Sequence, residues 1–468
     1  MKVLFATPPL SLDERYGSFA GAGSSAPSLG ILMLAAVTRK NGYESFVIDA
    51  AALNLARNVF LGKVMEIRPD VLGFSATTLS VLHADALARE IRRLMPATRI
   101  ILGGPHPSAV PVETCERFPV FDAAVVGEGE ETIIDLLDAL NGSKSLNDVP
   151  GIVFRQGEHI IVNSRRPFIG ELDSLPFPAW DLLEGFPQSY APAAFKTRKL
   201  PAVSLVTSRG CPNRCIFCDR SVFGSSCHAF SAEYVVEMIQ ALYHSYGVRE
   251  FCFEDDTFVT FRSRLAEICH RFIELKLDIS WSCLGRVNHV NEENLTLMKR
   301  AGCWQISYGI ESGSQDILNL INKNITLDQI RKALYLSRKA GLLNKGFFIV
   351  GHPGETAESL RQTIELALEL HLDDISVMML TPFPGSEIYA RAAEFGAFDP
   401  DWSRMNMLNA VFVPHGLTED DLQQTRKELL RRFYFRSGVV SNYALRALRN
   451  PAMTGALWKG FRSFLRSI

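Results

Sequence analysis

Three cysteines stand close together near the middle of the 468-residue chain, namely Cys211, Cys215 and Cys218. A structural zinc site takes four ligands, usually as two pairs, whereas three thiolates on one short loop suit three corners of an iron–sulfur cube. The fourth iron would then be open to a small molecule. The alternative is three unrelated buried cysteines, because cysteine often packs as a small apolar residue. The C-x3-C-x2-C spacing favours the cluster.

Composition indicates a globular chain with more than one domain. Hydrophobic residues make up 47% and charged residues 21%, and the formal net charge is −2. This balance gives no overall attraction to nucleic acid or membrane, and 468 residues predict two or three domains. Nine cysteines, an odd number, favour a reducing, cytoplasmic location. We expect no signal peptide and no membrane-spanning helix. Core packing is expected for the six scattered cysteines: Cys115, Cys227, Cys252, Cys269, Cys283 and Cys303.

Residues 1–140 predict strands that alternate with helices, which is typical of a parallel, doubly wound, Rossmann-like sheet. Ligands of such sheets bind beyond the carboxyl ends of the strands. Polar and glycine-rich turns fall at those ends here. Glycines let the backbone approach a bulky ligand closely. The strands are predicted at 2–7, 45–49, 71–75, 99–102 and 123–126, with a loop at 11–25, and the turns carry Ser75, Thr77, Gly103, Gly104, Gly127 and Gly129.

A linker is predicted at 141–195, with a hairpin and a proline-containing strap at 172–181. Residues 196–395 predict six strand–helix units, which form a partial, TIM-like barrel. The cysteine loop directly follows the first of these strands, at the face where barrel active sites are built. The strands are predicted at 202–207, 250–254, 279–282, 304–310, 344–350 and 375–380.

Residues 396–468 predict a helical tail, and its first part, 398–407, resembles a substrate-side loop. From Asp421 onward ten Lys or Arg residues stand against two Asp or Glu residues, with Trp458 and Phe461 among them. Basic amphipathic helices lie on anionic membranes, or they pack on the protein with their charges in solvent. Both interpretations of the tail stay open. Nucleic-acid binding is set aside because the rest of the chain offers no basic groove.

The cysteine spacing, with Phe217 before the last cysteine, resembles the signature of the radical S-adenosylmethionine (SAM) enzymes. The resemblance implies that Cys211, Cys215 and Cys218 bind a 4Fe-4S cluster, and that the fourth iron holds SAM. Arg286 could pair with the SAM carboxylate, since guanidinium suits carboxylates; the alternative is a surface ion pair. Glu311 could instead be a solvated carboxylate. The implied SAM- and substrate-facing positions are Phe217, Glu254, Asp255, Arg286, Glu311, Ser312, Gly351 and Gly385.

The phrases at 103–106 and 126–130 resemble the cobalamin-binding domain that precedes the radical-SAM domain in one subclass. Many cobalamin proteins carry an Asp-x-His-x-x-Gly motif whose histidine binds cobalt. The matching region, 49–54, has alanine at the histidine position. Members of this subclass commonly lack the histidine, so the resemblance implies base-off, His-off cobalamin. The alternatives are a sheet without cofactor and a nucleotide-binding sheet. His106 is either a cobalt ligand or a packing residue.

The leading interpretation is a cobalamin-dependent radical-SAM enzyme that methylates an unactivated carbon of a small or lipid-like molecule. By resemblance it would use a 5′-deoxyadenosyl radical and methylcobalamin, with flavodoxin or ferredoxin as electron donor. The same cofactors could instead serve cyclisation, ring contraction or oxidation. Two further classes are a methylthiolating or RNA-modifying enzyme and a non-catalytic cobalamin sensor. We expect a cytoplasmic protein, with the tail as the candidate for peripheral membrane contact.

Overall fold

The computed structural model describes residues 1–193, 196–449 and 451–465. Its N-terminal part is a seven-stranded sheet with the order β2-β1-β3-β4-β5-β6-β7. The first five strands along the chain are parallel, as predicted, and the last two are antiparallel. The strands are β1 (Lys2–Thr7), β2 (Glu44–Asp49), β3 (Val71–Ser75), β4 (Arg99–Gly103), β5 (Ala123–Val125), β6 (Ile152–Gln156) and β7 (His159–Val162).

Helices cover both faces of this sheet, which confirms the doubly wound fold. The helices α2 and α7 share one hydrophobic core with one face of the strands, and α3 and α4 share another with the opposite face. Buried strands need such double cover, because both rows of side chains are apolar. The helices are α1 (Leu12–Tyr16), α2 (Leu29–Lys40), α3 (Arg57–Ile67), α4 (Val81–Leu94), α5 (Pro105–Ala109), α6 (Pro111–Arg117) and α7 (Glu130–Leu140).

Two segments of the N-terminal half differ from the sequence prediction. The predicted loop at 11–25 contains α1, whose start is fixed by a capping box between Ser11 and Glu14, and a 3-10 turn at Gly17–Ala22. The hairpin expected in the linker pairs with β5 and so extends the sheet, with Ala124 opposite Val153. The domain boundaries at 140, 195 and 395 stay predictions. Residues 194 and 195 lie outside the described part of the chain.

The second half contains a six-stranded, all-parallel sheet with the order β15-β14-β13-β12-β11-β8, the predicted partial barrel. A short antiparallel pair, β9 with β10, flanks the cysteine loop. The strands are β8 (Ala202–Leu205), β9 (Ser208–Arg209), β10 (His228–Ala229), β11 (Glu250–Phe253), β12 (Ser280–Gly285), β13 (Cys303–Glu311), β14 (Leu343–Val350) and β15 (Asp374–Met379).

Six helices follow these strands and bury one apolar side each. Leu265, Ile268 and Phe272 form the predicted buried side of α9. Several helices begin at a side-chain cap, for example Thr326 and Thr356, whose hydroxyls accept a hydrogen bond from the first turn. The helices are α8 (Ala232–Tyr246), α9 (Arg262–Leu275), α10 (Glu292–Arg300), α11 (Gln315–Leu320), α12 (Leu327–Lys339) and α13 (Ala357–Glu369).

The tail is helical and packs back onto the molecule. The Tyr434 hydroxyl donates to the Ile375 carbonyl at 2.8 Å, so α15 covers the barrel edge at β15. In α17, Ser463 lies against Gly21 of the 3-10 turn. None of the helices in the described residues is long and apolar enough to cross a bilayer. The tail elements are α14 (Glu387–Phe395), β16 (Gly396–Phe398), β17 (Phe412–Pro414), α15 (Glu419–Tyr434), α16 (Ser437–Arg449) and α17 (Pro451–Leu465).

Candidate functional site

The cysteine loop begins directly after β8, and a buried carboxylate fixes its start. Oδ1 of Asp255, just beyond β11, accepts hydrogen bonds from the Thr207 amide at 2.9 Å and the Ser208 hydroxyl at 2.5 Å. Burial raises the pKa of Asp255, an effect that these donors oppose. Asp255, predicted to lie near SAM, therefore holds the loop with its carboxylate. Its contact with SAM stays a prediction.

Cys215 and Cys218 lie in contact on this loop, and the Cys215 thiol ionises more readily than an ordinary cysteine thiol. The hydrogen bond from Cys218 lowers the pKa of Cys215 to about 6, and the cations Lys323 and Arg286 act in the same direction against burial. The Cys218 pKa is raised in turn. Thiolates are the form that binds iron, so this donor set fits an iron–sulfur cluster.

Cys211, the first cysteine of the loop, accepts a hydrogen bond from the side-chain amide Nδ2 of Asn213 at 3.3 Å. Across the described part of the chain, no three His, Cys, Asp or Glu side chains are arranged to hold a metal ion. The three-cysteine ligand set therefore stays a prediction from the motif. Four of the scattered cysteines, Cys252, Cys269, Cys283 and Cys303, are buried, as expected for packing residues.

Two buried cations stand beside the thiols. Arg286 directs Nη1 toward Cys215 Sγ at 3.8 Å and donates from Nη2 to the Lys323 carbonyl. The Lys323 ammonium pairs with Glu311 at 2.5 Å, and both side chains are buried. The surface ion pair considered for Arg286 and the solvated carboxylate considered for Glu311 are therefore wrong, because both groups are removed from solvent. Whether Arg286 also meets the SAM carboxylate stays a prediction.

The sequence analysis missed Lys323, although its neighbourhood carries a backbone signal. Asn322 and Asn324 on either side of it have positive φ angles, as does Glu311. Residues other than glycine seldom adopt this conformation, and such strain clusters at functional sites. A β-carbon on Gly309 would collide with Glu311 Oε1, so only glycine leaves room for the ion pair. Ser312, which follows Glu311, is fully buried.

Phe217 lies at the barrel mouth between a cation and a buried histidine. Its ring centroid is 5.8 Å from that of His352 and 5.7 Å from the Lys323 ammonium. Burial lowers the pKa of His352 to about 3, and neither ring nitrogen has a partner among the described residues. Oε2 of Glu355 accepts the Gly351 amide at 2.6 Å. Burial raises the pKa of Glu355 to about 8, so this carboxyl is largely neutral below that pH.

Two further predicted positions prove to be in structural contacts. Glu254 is paired with Lys196, just before β8, at 3.0 Å, a partner that the sequence did not reveal. Gly385 has φ +89°, and a β-carbon there would collide with Asp219 Oδ1. Glycine at 385 therefore lets the turn after β15 close onto the cysteine loop. SAM contacts of Glu254 and Gly385 stay predictions.

The carboxyl edge of the N-terminal sheet is built from small side chains. Gly104 has φ +100°, and a β-carbon there would lie 2.9 Å from the Ala76 nitrogen and oxygen and from Ser75 Oγ. Thr77 in the same crevice is exposed, and Gly103 precedes Gly104 at the end of β4. In this strand order the ligand-binding switch point falls between β1 and β3, and the crevice borders it at the end of β3. A cradle lined by backbone and small polar side chains fits a large flat group such as a corrin.

The loop after β2 has no metal ligand at the motif position. Asp49 accepts hydrogen bonds from the Thr7 hydroxyl at 2.7 Å and the Ser28 amide at 2.6 Å, so it ties three loops together. Ala51 stands where many cobalamin proteins have histidine, and its side chain offers no ligand atom.

His106 is a packing residue rather than an open ligand. Its ring is fully buried, lies edge-on to Trp402 at 4.3 Å, and contacts the Thr78 hydroxyl at 3.2 Å. Burial lowers the pKa of His106 to about 4. Trp402 is itself buried in the N-terminal core, so this part of the predicted substrate-side loop at 398–407 joins the two halves of the protein.

A buried ion network ties the two edges together. Arg209, two residues before Cys211, pairs with Glu128 and Glu130 at 2.5 Å each, and His228 lies 3.2 Å from Glu128. The Glu128 and Glu130 carboxylates belong to the segment 126–130, which resembles part of a cobalamin-binding domain. Gly127 has a positive φ angle, and Gly129 packs against Leu34. Their contacts with cobalamin stay predictions, while the flanking glutamates bind the cysteine loop.

Comparison with known proteins agrees with this architecture. The B12-binding domain family matches residues 19–137 and the Radical SAM superfamily matches residues 205–367. The uncharacterized methyltransferase PH0819 of Pyrococcus horikoshii is 32% identical over 94% of each chain. The anaerobic magnesium-protoporphyrin IX monomethyl ester cyclase of Rubrivivax gelatinosus is 27% identical, covering 93% of this chain and 77% of the cyclase.

A solved structure has the same fold. The cobalamin-dependent SAM radical enzyme OxsB, with aqua-cobalamin bound, superposes with a TM-score of 0.74 at 18% identity. The match covers 99% of this chain and 72% of OxsB. At this identity the similarity concerns the fold alone.

Proposed function

The chain belongs to the cobalamin-binding radical SAM enzymes, and from this premise we propose that it methylates an unactivated carbon of a small or lipid-like molecule. The observation that supports methylation is the similarity, over 94% of each chain, to PH0819, which is named an uncharacterized methyltransferase. The similarity to the cyclase supports an alternative function, in which the same cofactors serve ring formation without methyl transfer.

The two sheet edges would bind different cofactors. Cys211, Cys215 and Cys218 would hold the cluster, and the crevice around Ser75, Thr77, Gly103 and Gly104 would hold cobalamin. When bound, the cluster would supply the electron for SAM cleavage, and cobalamin would supply a carrier for the methyl group.

Around these groups the protein contributes charge and rigidity. Lys323 and Arg286 offset the negative charge of the thiolates. Asp255 and the Arg209 network fix the cysteine loop to its neighbours, and rigid positioning keeps reacting groups aligned.

We infer that cobalamin binds base-off and without a histidine ligand. Ala51 occupies the motif position, and His106 is packed against Trp402. The test is the electron paramagnetic resonance spectrum of cobalt(II) in purified enzyme. We expect no nitrogen hyperfine splitting, and splitting from a histidine or base nitrogen would contradict the inference.

The proposed location at a membrane is supported by the helical tail. Trp458, Phe461 and Leu465 form an exposed stripe on α17, close to the basic residues Lys459 and Arg462. Because α17 packs on the turn that follows β1, a membrane bound by this stripe would lie near the ligand edge. We propose peripheral contact with an anionic membrane from the cytoplasmic side. Sedimentation with anionic vesicles should fall for Trp458→Ser, and equal sedimentation would contradict membrane contact.

Methyl transfer can be tested before the substrate is known. Reduced enzyme loaded with cobalamin should convert methyl-labelled SAM to S-adenosylhomocysteine and leave label in the corrinoid fraction. Enzyme prepared without cobalamin is the control and should form none. If the loaded enzyme makes 5′-deoxyadenosine but no S-adenosylhomocysteine, methylation is wrong and cyclisation is favoured.

A further inference from the structure

Helix α15 covers the free edge of the barrel sheet, and two of its side chains bond to carbonyl groups of the edge strand β15. The Tyr434 hydroxyl donates to the Ile375 carbonyl at 2.8 Å. About two helical turns earlier, Nε of Arg426 donates to the Val377 carbonyl at 3.3 Å. A neutral donor satisfies an edge carbonyl, as Tyr434 shows, so this contact alone does not require a charged side chain.

Arg426 is a buried cation. The residue is only 7% exposed, and its Nη2 atom is buried without a hydrogen-bond partner in the described part of the chain. Burial lowers the pKa of Arg426 to about 10, so the guanidinium remains charged at neutral pH. A buried charge without a counter-charge is strongly unfavourable, and such groups are characteristic of ligand-binding sites.

The other buried cations show what Arg426 lacks. Arg209, Lys323 and Lys345 each pair with a buried carboxylate. Arg286 lies beside a thiol of the cysteine loop. Arg426 forms no ion pair with any residue that the structure describes, and burial is the cause of its pKa shift. The missing counter-charge is therefore expected to come from a bound molecule.

The guanidinium of Arg426 lies between the barrel and the N-terminal half of the protein. The ring centre of Phe19, in the 3-10 turn at Gly17–Ala22, is 5.1 Å from the guanidinium carbon. Leu422, one turn earlier on the same face of α15, lies against Gly351 at the carboxyl edge of the barrel. Arg426 is therefore about 6 Å along the helix from the level of that edge.

Helix α17 brings apolar surface to the same place. A β-carbon on Gly21 would collide with Ser463 of α17, so this helix lies directly on the turn that carries Phe19. The exposed apolar stripe of α17 consists of Trp458, Phe461 and Leu465. A buried cation and an exposed apolar surface thus lie on opposite sides of one short turn, which suits a molecule with a charged group and an apolar body.

We propose that Arg426 binds the anionic group, a carboxylate or a phosphate, of an amphiphilic substrate. The proposal rests on the proposed function, because it names the substrate class of that reaction. A guanidinium suits either anion, since its N–H groups are arranged to meet two oxygens at once. Phe19 and the apolar side chains of α17 would contact the apolar part of the substrate.

The experiment measures the binding of probes that share a decyl chain to the cofactor-loaded enzyme by equilibrium dialysis, below the concentrations at which they form micelles. Decanoate and decyl phosphate carry an anion, and decanol does not. We expect Arg426→Met to raise the Kd of both anionic probes about tenfold or more and that of decanol by less than about twofold. Arg431→Met, at an exposed arginine of the same helix, is the matched control and should bind all three probes as wild type does.

The stability of the variant separates a binding role from a structural one. Replacing an unpaired buried charge by an apolar side chain should not lower the free energy of unfolding, as measured with denaturant. If Arg426→Met does not fold, Arg426→Gln, which keeps a donor for the Val377 carbonyl but carries no charge, replaces it in the same assay. Wild-type affinity for decanoate and decyl phosphate in the folded variant overturns the proposal, as does equal loss of all three probes.

Further arms of the assay identify the ligand. The tighter of the two anionic probes indicates which group Arg426 binds. If inorganic phosphate alone binds as tightly as decyl phosphate, an amphiphilic substrate is wrong. Failure of the proposed function looks different, because the loaded enzyme would then form no S-adenosylhomocysteine from SAM while the affinity for the anionic probes still depended on Arg426.

Discussion

The parallel strands of the two sheets end at one region of the protein, and the two carboxyl edges there differ in chemistry. The barrel edge is rich in buried charge, including Asp255, Arg286, and the ion pair between Glu311 and Lys323. Around the ends of β3 and β4 the N-terminal edge is lined by glycine, alanine, serine and threonine, and its buried histidine, His106, is held neutral by its surroundings. The buried carboxylates of this edge stand at or beyond the ends of β2 and β5, and they are Asp49, Glu128 and Glu130.

This difference indicates two ways of holding a cofactor. Charged ligands such as thiolates and the amino-acid part of SAM need counter-charges, which are costly to bury and therefore stand in pairs. A corrin needs area and close approach of the backbone, which small residues provide. The ion pairs of Arg209 with Glu128 and Glu130 connect the two edges. A substitution at one edge can therefore be tested for its effect on cofactor binding at the other.

The largest expected effect is loss of the cluster and of SAM cleavage, which involves the barrel edge alone. Cys215→Ala removes the thiol whose pKa is lowered to about 6, and we expect loss of the cluster and of 5′-deoxyadenosine formation while cobalamin stays bound. Iron content and product analysis after anaerobic reconstitution provide the measurement. Cys269→Ala, a buried cysteine of α9, should keep both. If Cys215→Ala still cleaves SAM, the assignment of the cluster to the cysteine loop at this edge is wrong.

The matching change on the N-terminal edge is Gly104→Ala. The new β-carbon would lie 2.9 Å from the Ala76 backbone, so the crevice must shift, and we expect cobalamin affinity to fall about tenfold or more, or at least about 1.4 kcal/mol. Gly142→Ala is the matched control, since Gly142 also has positive φ but nothing within 4 Å. Equal loss of cobalamin in both variants would mean that backbone strain, not the cradle, is responsible.

The ion pair at the barrel mouth is expected to affect both stability and SAM cleavage. Lys323→Met leaves Glu311 buried and unpaired, which costs about 3–5 kcal/mol of the free energy of unfolding. Adding Glu311→Gln should restore most of that stability without restoring SAM cleavage. Denaturant unfolding and 5′-deoxyadenosine assays on both variants separate the roles. Full activity in the double variant would show that the pair is structural only.

The last effect concerns stability alone and is a dependence of the free energy of unfolding on pH. The pKa of Glu355 is raised to about 8 in the folded protein from 4.5, so between these values the unfolded chain releases a proton that the folded chain keeps. The free energy of unfolding should therefore fall as pH rises from about 5 to 8, by at most about 4–5 kcal/mol.

Glu355→Gln should remove this slope, as measured by denaturant unfolding at several pH values. Glu358→Gln, at an exposed carboxylate on the next helix, should keep it. Parallel profiles for wild type and Glu355→Gln would contradict the neutral buried carboxyl.

Local patterns in the sequence were sufficient for the strands and for the edges on which they end. Hydrophobic runs followed by Gly103, the cysteine loop or Gly351 mark these positions. The helices α3 and α7 were missed, and the hairpin was assigned to the linker because its pairing with β5 depends on a distant strand.

Contacts between distant residues could not be predicted from local patterns. Arg209 is separated from Glu130 by 79 positions and Lys196 from Glu254 by 58. The positive φ angles around Lys323 are visible only in the folded backbone. Motif spacing therefore identified candidate ligands, while the charges that surround them required the structure.

The central claim is that the two edges bound a single site, and paramagnetic resonance tests it most directly. In enzyme that holds cobalt(II) cobalamin, reduction of the cluster should shorten the relaxation time of the cobalt signal. The effect should be absent in Cys215→Ala. A cobalt signal that is the same with and without a reduced cluster would contradict the claim.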